Sequence, residues 1–112
     1  MTQRLEILPG TLELLALHIV GAMGPLHGYG IARRIEQVGQ EGLLLNEGTV
    51  YAALVRLQQE GSISAEWGVS ENGRRARFYA ITKKGRKRLT AATSEWQRTV
   101  SMVGRILASE GK

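Results

Sequence analysis

The chain has 112 residues, 43% hydrophobic and 22% charged, with 15 Lys and Arg against 10 Asp and Glu for a net charge of +5. That length suits one domain, or one domain with a protruding helix, and the composition argues against a disordered chain. No run of 18 apolar residues exists, which argues against a membrane span, and zero Cys removes disulfides, thiolate catalysis and Cys-based zinc sites.

The first apolar stretch, residues 12 to 23, is short enough to be a signal-peptide core. Glu13 and His18 interrupt it, a single Arg4 precedes it and no clean small-residue cleavage site follows, so a cytoplasmic protein is expected. The stretch reads as a first helix behind Pro9 and Gly10, with Thr11 as its N-cap. Leu12, Leu15, Ile19 and Met23 mark one face, and Leu14, Leu17 and Val20 widen it, so the helix should be buried centrally. Gly24 and Pro25 stop it. A second helix follows over about 28 to 38, with Tyr29, Ile31, Ile35 and Val38 inward and Arg33 and Arg34 outward.

Asn46 is placed to cap a third helix that runs from 47 to about 60 and ends at Gly61. Val50, Leu54 and Leu57 form its core stripe. Gly48, Thr49, Ala52, Arg56 and Gln59 fall on or near the opposite side, and small residues there permit close backbone approach to a major groove. After Gly61 the period changes to two. Ile63, Ala65, Trp67 and Val69 alternate with polar or small residues, giving a half-buried strand with Trp67 in the core. Asn72-Gly73 predicts a two-residue type I′ turn, and a return strand spans about 75 to 81. The hairpin carries Arg74 and Arg75 near its tip.

Thr82 is placed to cap a last helix over about 83 to 108. Lys83 and Lys84 in its first turn oppose the helix dipole, a pattern that an external anion would offset. Leu89, Ala92 or Thr93, Trp96, Val100, Val103 and Ile106 or Leu107 recur every three or four residues beyond the basic turns. A helix of about 26 residues spans roughly 39 Å, too long for this domain to cover. Its distal half therefore predicts a second copy across a two-fold axis.

Charge is concentrated as well as positive. Between Asn72 and Ser94 lie eight basic residues and no acid, while the rest of the chain sums to −3. Such a window suits a polyanion, although charge alone does not separate DNA from RNA or anionic lipid. Enzyme readings fare badly. His18 and His27 have no Cys or Asp anywhere in the chain to complete a triad or a metal set, and Glu47 and Glu60 carry no mark of a hydrolytic pair. No strand is predicted before Gly28 and Gly30, and the third glycine of a dinucleotide loop is missing, so no cofactor is expected. His18 reads as a packing residue and His27 as a cap or turn residue.

Three helices, a basic-tipped hairpin and a long final helix predict a mainly α, winged helix-turn-helix domain over 1–82 and a dimerisation helix over 83–112. Three segments carry a family resemblance: Gly24-Pro25-Leu26-His27-Gly28-Tyr29-Gly30-Ile31; Asn46 to Tyr51 with Arg56 to Ile63; and Gly73-Arg74-Arg75 with Phe78 to Gly85. In order and spacing the chain resembles the PadR family of bacterial transcriptional regulators, in its short form with a single C-terminal helix. The resemblance implies a homodimeric repressor of phenolic-acid stress, efflux or transport genes on double-stranded DNA, with an inverted-repeat operator as its expected target. It implies that the third helix enters the major groove and the hairpin grips the backbone. It also implies that Trp96 lines a pocket between subunits for a planar aromatic effector. Many members have a proline where this chain has Ala52, which bears on how the helix seats. On this reading Thr49, Ala52 and Gln59 face bases, whereas Tyr51, Arg56, Arg74, Arg75, Arg77, Lys83 and Lys84 meet phosphates, Arg56 also being placed for a guanine edge. Leu89, Trp96, Val100, Val103 and Leu107 form the dimer seam. The rival reading is a ligand-independent or architectural nucleic-acid-binding module.

Overall fold

The computed structural model describes residues 5–6, 10–40 and 42–109. The rest of the N-terminal arm, including Arg4 and Pro9, and the side chain of Glu47 lie outside the described residues. In chain order the elements are β1 (Leu5–Glu6), α1 (Thr11–Met23), β2 (Leu26–His27), α2 (Gly28–Val38), β3 (Leu43–Leu44), α3 (Glu47–Gln59), β4 (Ile63–Val69), β5 (Arg75–Ile81) and α4 (Lys83–Ser109). The molecule is a winged helix-turn-helix with a long final helix. β1 and β3 pair in parallel, and a three-stranded antiparallel sheet runs in the order β2-β5-β4.

α1 is apolar on most sides because it has neighbours on most sides: α2, α3, α4 and β5 all pack on it. Leu12, Ala16, Leu17 and Val20 are buried there against Ile31 and Ile35 of α2 and Val50, Leu54 and Leu57 of α3. Thr11 is the first helical residue rather than the cap. Gly10 takes the cap position with φ 82° and no side-chain bond, a left-handed backbone that glycine adopts without steric penalty. At α2 the cap is His27, whose Nδ1 accepts from the Gly30 amide at 2.8 Å.

Two residues expected on the inner face of α2 lie in solvent. Tyr29 and Val38 are both exposed. The covered stripe is the pair Ile31 and Ile35; Tyr29 projects roughly 200° away from Ile31 at about 100° per residue, and Val38 lies in the last turn, beyond Ile35. Trp67 and Val69, expected on the inner face of β4, are likewise exposed. They share the face of Ile63 and Ala65, but the core beneath the hairpin ends at the Ala65–Tyr79 pair, and the rest of the hairpin projects.

The hairpin turn also differs from a two-residue type I′ connection. The Ser70 amide donates to the Arg74 carbonyl at 2.8 Å and the Gly73 amide to the Ser70 carbonyl at 2.9 Å, which makes Glu71, Asn72 and Gly73 a three-residue loop. Of these only Gly73 has positive φ, 79°, so the loop is a turn closed by one left-handed glycine. At the other end of β5, Thr82 caps α4: its hydroxyl accepts from the Gly85 amide at 3.0 Å. α4 touches α1 and β5 through its first half, and every residue from Ser94 to Ser109 is exposed.

Candidate nucleic-acid interface

α3 starts where Asn46 Oδ1 accepts from the amides of Gly48, at 2.8 Å, and Thr49, at 3.4 Å. This cap fixes the first turn, and the buried stripe of Val50, Leu54 and Leu57 fixes the rotation of the helix. Gly48, Thr49, Tyr51, Arg56 and Gln59 are consequently exposed and Ala52 is half-buried. Gly48, Thr49 and Ala52 keep part of this outward face small, as the sequence pattern indicates, but the exposed Tyr51 ring stands beside them.

Beside α3 runs a groove of about 960 Å³ between the first turns of α2 and the hairpin. Arg33 and Arg34 line one wall, Arg74, Arg75 and Arg77 the other, and Tyr51 of α3 reaches in between. Glu71 stands among these cations at the hairpin loop. The groove thus gathers Tyr51, Arg74, Arg75 and Arg77 from the predicted set and adds Arg33 and Arg34, which the sequence pattern marks only as outward. An exposed Arg-Arg pair was the available signal, but forty residues separate it from the basic window, so its place opposite the hairpin is a tertiary fact.

Trp67 lies on the hairpin face that borders this groove. The guanidinium carbon of Arg75 sits 4.6 Å from its ring centroid and that of Arg77 5.7 Å, both in cation–π range. Arg77 Nε is buried with no hydrogen-bond partner among the described residues. Deeper in the groove Tyr79 is buried at the base of the hairpin. Burial pushes its phenol pKa up, the nearby Arg77 charge pulls it down and Tyr51 adds a further push upward.

The remaining predicted contacts do not line the groove, and two of them have partners within the chain. Arg56 Nη2 lies 2.9 Å from Glu13 Oε1 on α1. Lys84 Nζ donates to the Glu60 carbonyl at 2.6 Å, at the C-terminal end of α3. A cation in the first turn of α4 thus faces the negative end of another helix, an internal offset to the dipole conflict. Lys83 is exposed alongside it. Arg88 Nε pairs with Glu60 Oε2 at 2.7 Å.

Trp96 is 41% exposed and borders a second groove of about 410 Å³, where Gly10 and Leu14 at the start of α1 face Ala92, Glu95 and Thr99 of α4. Val100, Val103 and Leu107 continue from it along α4, all exposed. Leu89 differs from them: it is half-buried against the core of its own chain, so the uncovered stripe begins at Trp96. Among the described residues no group of three His, Cys, Asp or Glu side chains converges, and no helix is long and apolar enough to cross a membrane.

The PadR-like family of transcriptional regulators matches residues 16–91, from α1 into α4. A transcriptional regulator from Clostridium thermocellum is similar in structure, with TM-score 0.77 and 28% identity over 86% of this chain and 89% of that one. A PadR-like transcriptional regulator from Bacillus cereus gives TM-score 0.73 and 28% identity over 88% and 92%. An uncharacterised protein from Lysinibacillus sphaericus is 28% identical over 93 residues, 83% of this chain and 84% of its own length. With the capped third helix, the hairpin wing and the long final helix all in place, the chain belongs to the PadR-like family and is a DNA-binding transcriptional regulator, not an enzyme.

Proposed function

We propose that the protein is a homodimeric repressor of a transport, efflux or stress operon, binding an inverted-repeat operator and leaving it when a small planar aromatic molecule settles beside Trp96. The observation that carries this reading best is the groove where Arg33 and Arg34 face Arg74, Arg75 and Arg77 next to the exposed start of α3. Of the five guanidiniums around this concavity only Arg33 has an ion-pair partner among the described residues, Glu36 at 3.6 Å, and a polyanion entering the groove relieves the mutual repulsion of the others.

In this reading Thr49, Ala52 and Gln59 face base edges, Tyr51 and the wing arginines meet phosphates, and Lys83 and Lys84 lie further along the same strand. Thr49 and Ala52 suit thymine methyls, which leaves a share of specificity to duplex shape and half-site spacing. Trp96, Val100, Val103 and Leu107 follow one another at spacings of four, three and four, the pattern of a two-helix seam. Pairing two copies along that seam would set their α3 helices about one duplex turn, roughly 34 Å, apart. The groove beside Trp96 falls in the size range of small-molecule sites.

Duplex affinity measured against salt tests the reading. If about six to ten phosphates are neutralised per dimer, affinity falls about 10³- to 10⁵-fold between about 50 and 200 mM salt. An affinity indifferent to salt contradicts it. The effector step is read from Trp96 emission in a Trp67→Phe background during titration with planar aromatics, and flat titrations favour a ligand-independent repressor.

A further inference from the structure

We propose that Trp67 is a positioning residue for the wing: its indole face holds the Arg75 and Arg77 guanidiniums together toward the groove, ready for a nucleic-acid backbone. The inference rests on the DNA-binding reading above. The strand register sets Trp67 directly across from Arg77 and pairs Val69, two residues further on, with Arg75, so all four side chains share one face of the hairpin. At 59% exposed, the ring is not explained by core burial. Two cations two residues apart on a strand face repel and splay, whereas an indole within cation–π range of both offsets that repulsion. Glu66 cannot take that role, because it pairs with Phe78 on the opposite face. The ion pairs among the described residues involve Arg33, Arg56 and Arg88 rather than these two arginines. The buried Arg77 Nε likewise has no acceptor among the described residues, and the Trp67 ring is the contact on this face that can orient it.

The test uses the full chain and a mixed-sequence duplex of about 30 base pairs at about 50 mM salt, where phosphate contacts dominate affinity. Trp67→Phe keeps an aromatic face and is expected to bind within about twofold of the parent, while Trp67→Ala weakens binding about five- to tenfold. In an Arg75→Ala/Arg77→Ala background the same Trp67→Ala change is expected to add less than about twofold, because the ring then has nothing to position. Trp67→Ala is expected to lower the thermal midpoint by only a few degrees and to stay folded in the assay, since the side chain is exposed and the loss is confined to strand propensity and the cation–π contact. Wild-type affinity in Trp67→Ala overturns the proposal. A loss that adds in full to that of the double arginine variant also overturns it and assigns Trp67 to direct contact with the duplex. An unmutated protein whose affinity ignores salt removes the DNA-binding reading itself, an outcome visible before any substitution is compared.

Discussion

The guanidinium of Arg56 lies 2.9 Å from the Glu13 carboxylate and ties α3 to the first turn of α1. The two partners are unequally covered, with side chains 54% and 12% exposed respectively. In the free protein, the one long cation on the outward side of α3 is therefore held by its own chain. Arg56→Ala leaves a nearly buried carboxylate without its partner. A fully buried pair broken this way costs about 3 to 5 kcal/mol. The solvent around Arg56 screens the pair, so about 1 to 2 kcal/mol is expected from urea unfolding. Glu13→Gln removes the charge that holds Arg56, and duplex affinity should rise if Arg56 reaches phosphate. Unchanged stability in Arg56→Ala would show that the pair contributes nothing.

Gly85 is the point at which α4 crosses the turn after α3. It is buried, and a Cβ placed there would run into the Ser62 carbonyl oxygen while lying 2.9 Å from Ile81 Cγ1. The Thr82 amide donates to that same carbonyl at 3.1 Å, so the carbonyl is pinned and cannot move aside freely. Gly85→Ala is expected to cost about 3 kcal/mol, the upper range for overpacking, and to lower the thermal midpoint by roughly 10 to 20 °C. A midpoint equal to that of the parent would mean that the first turn of α4 can shift bodily off the turn.

What could be read along the chain was local. Asn46, Gly61 and Thr82 each act on amides or carbonyls within a few residues, and α3 and α4 begin or end where those residues require. Alternation along β4 identified which side chains share a face, but not where the cover stops; that depends on how far the core extends beneath the hairpin, and Trp67 fell beyond it. The wing loop turned on which of Asn72 and Gly73 would adopt positive φ, a choice made by the Ser70 and Arg74 bonds that close it. The basic groove and the Glu13–Arg56 pair were out of reach for a simpler reason. Their halves lie some forty residues apart: packing of α3 on α1 joins Glu13 to Arg56, and pairing of β2 with β5 sets the start of α2 beside the hairpin.

Val103 separates the two sides of α4. It is exposed and continues the stripe from Trp96, whereas Leu89 on the first half packs against its own core. Val103→Glu would place carboxylates at the proposed seam between two copies, where an unpaired buried charge costs several kcal/mol or more (about 3 to 5 when a partner is missing). Light scattering should then report a monomer, and the thermal midpoint should lose its dependence on protein concentration. Leu89→Ala should instead destabilise the chain by about 2 kcal/mol through a core cavity, with the dimer retained. A Val103→Glu protein that remains dimeric would move the seam off this stripe.

Tyr79 makes stability depend on alkaline pH. Burial raises its phenol pKa, with Arg77 opposing and Tyr51 reinforcing, so the folded state holds the proton more tightly than the unfolded chain. The resulting stabilisation is fully present below the unfolded value of about 10 and is lost as pH rises through the higher folded value. Among the described residues the hydroxyl makes no protein hydrogen bond, and Tyr79 borders the groove. Tyr79→Phe should therefore change stability near neutral pH by less than about 1 kcal/mol. Above about pH 10 the wild type should lose stability more steeply than Tyr79→Phe, because only the wild type has a phenol that the unfolded chain ionises while the fold still holds its proton. Urea midpoints for both proteins between about pH 7 and 11 measure the difference, with lysine titration common to the two curves. Superimposable alkaline limbs would mean that the Arg77 charge cancels the effect of burial, and that the base of the groove is wetter than its packing implies.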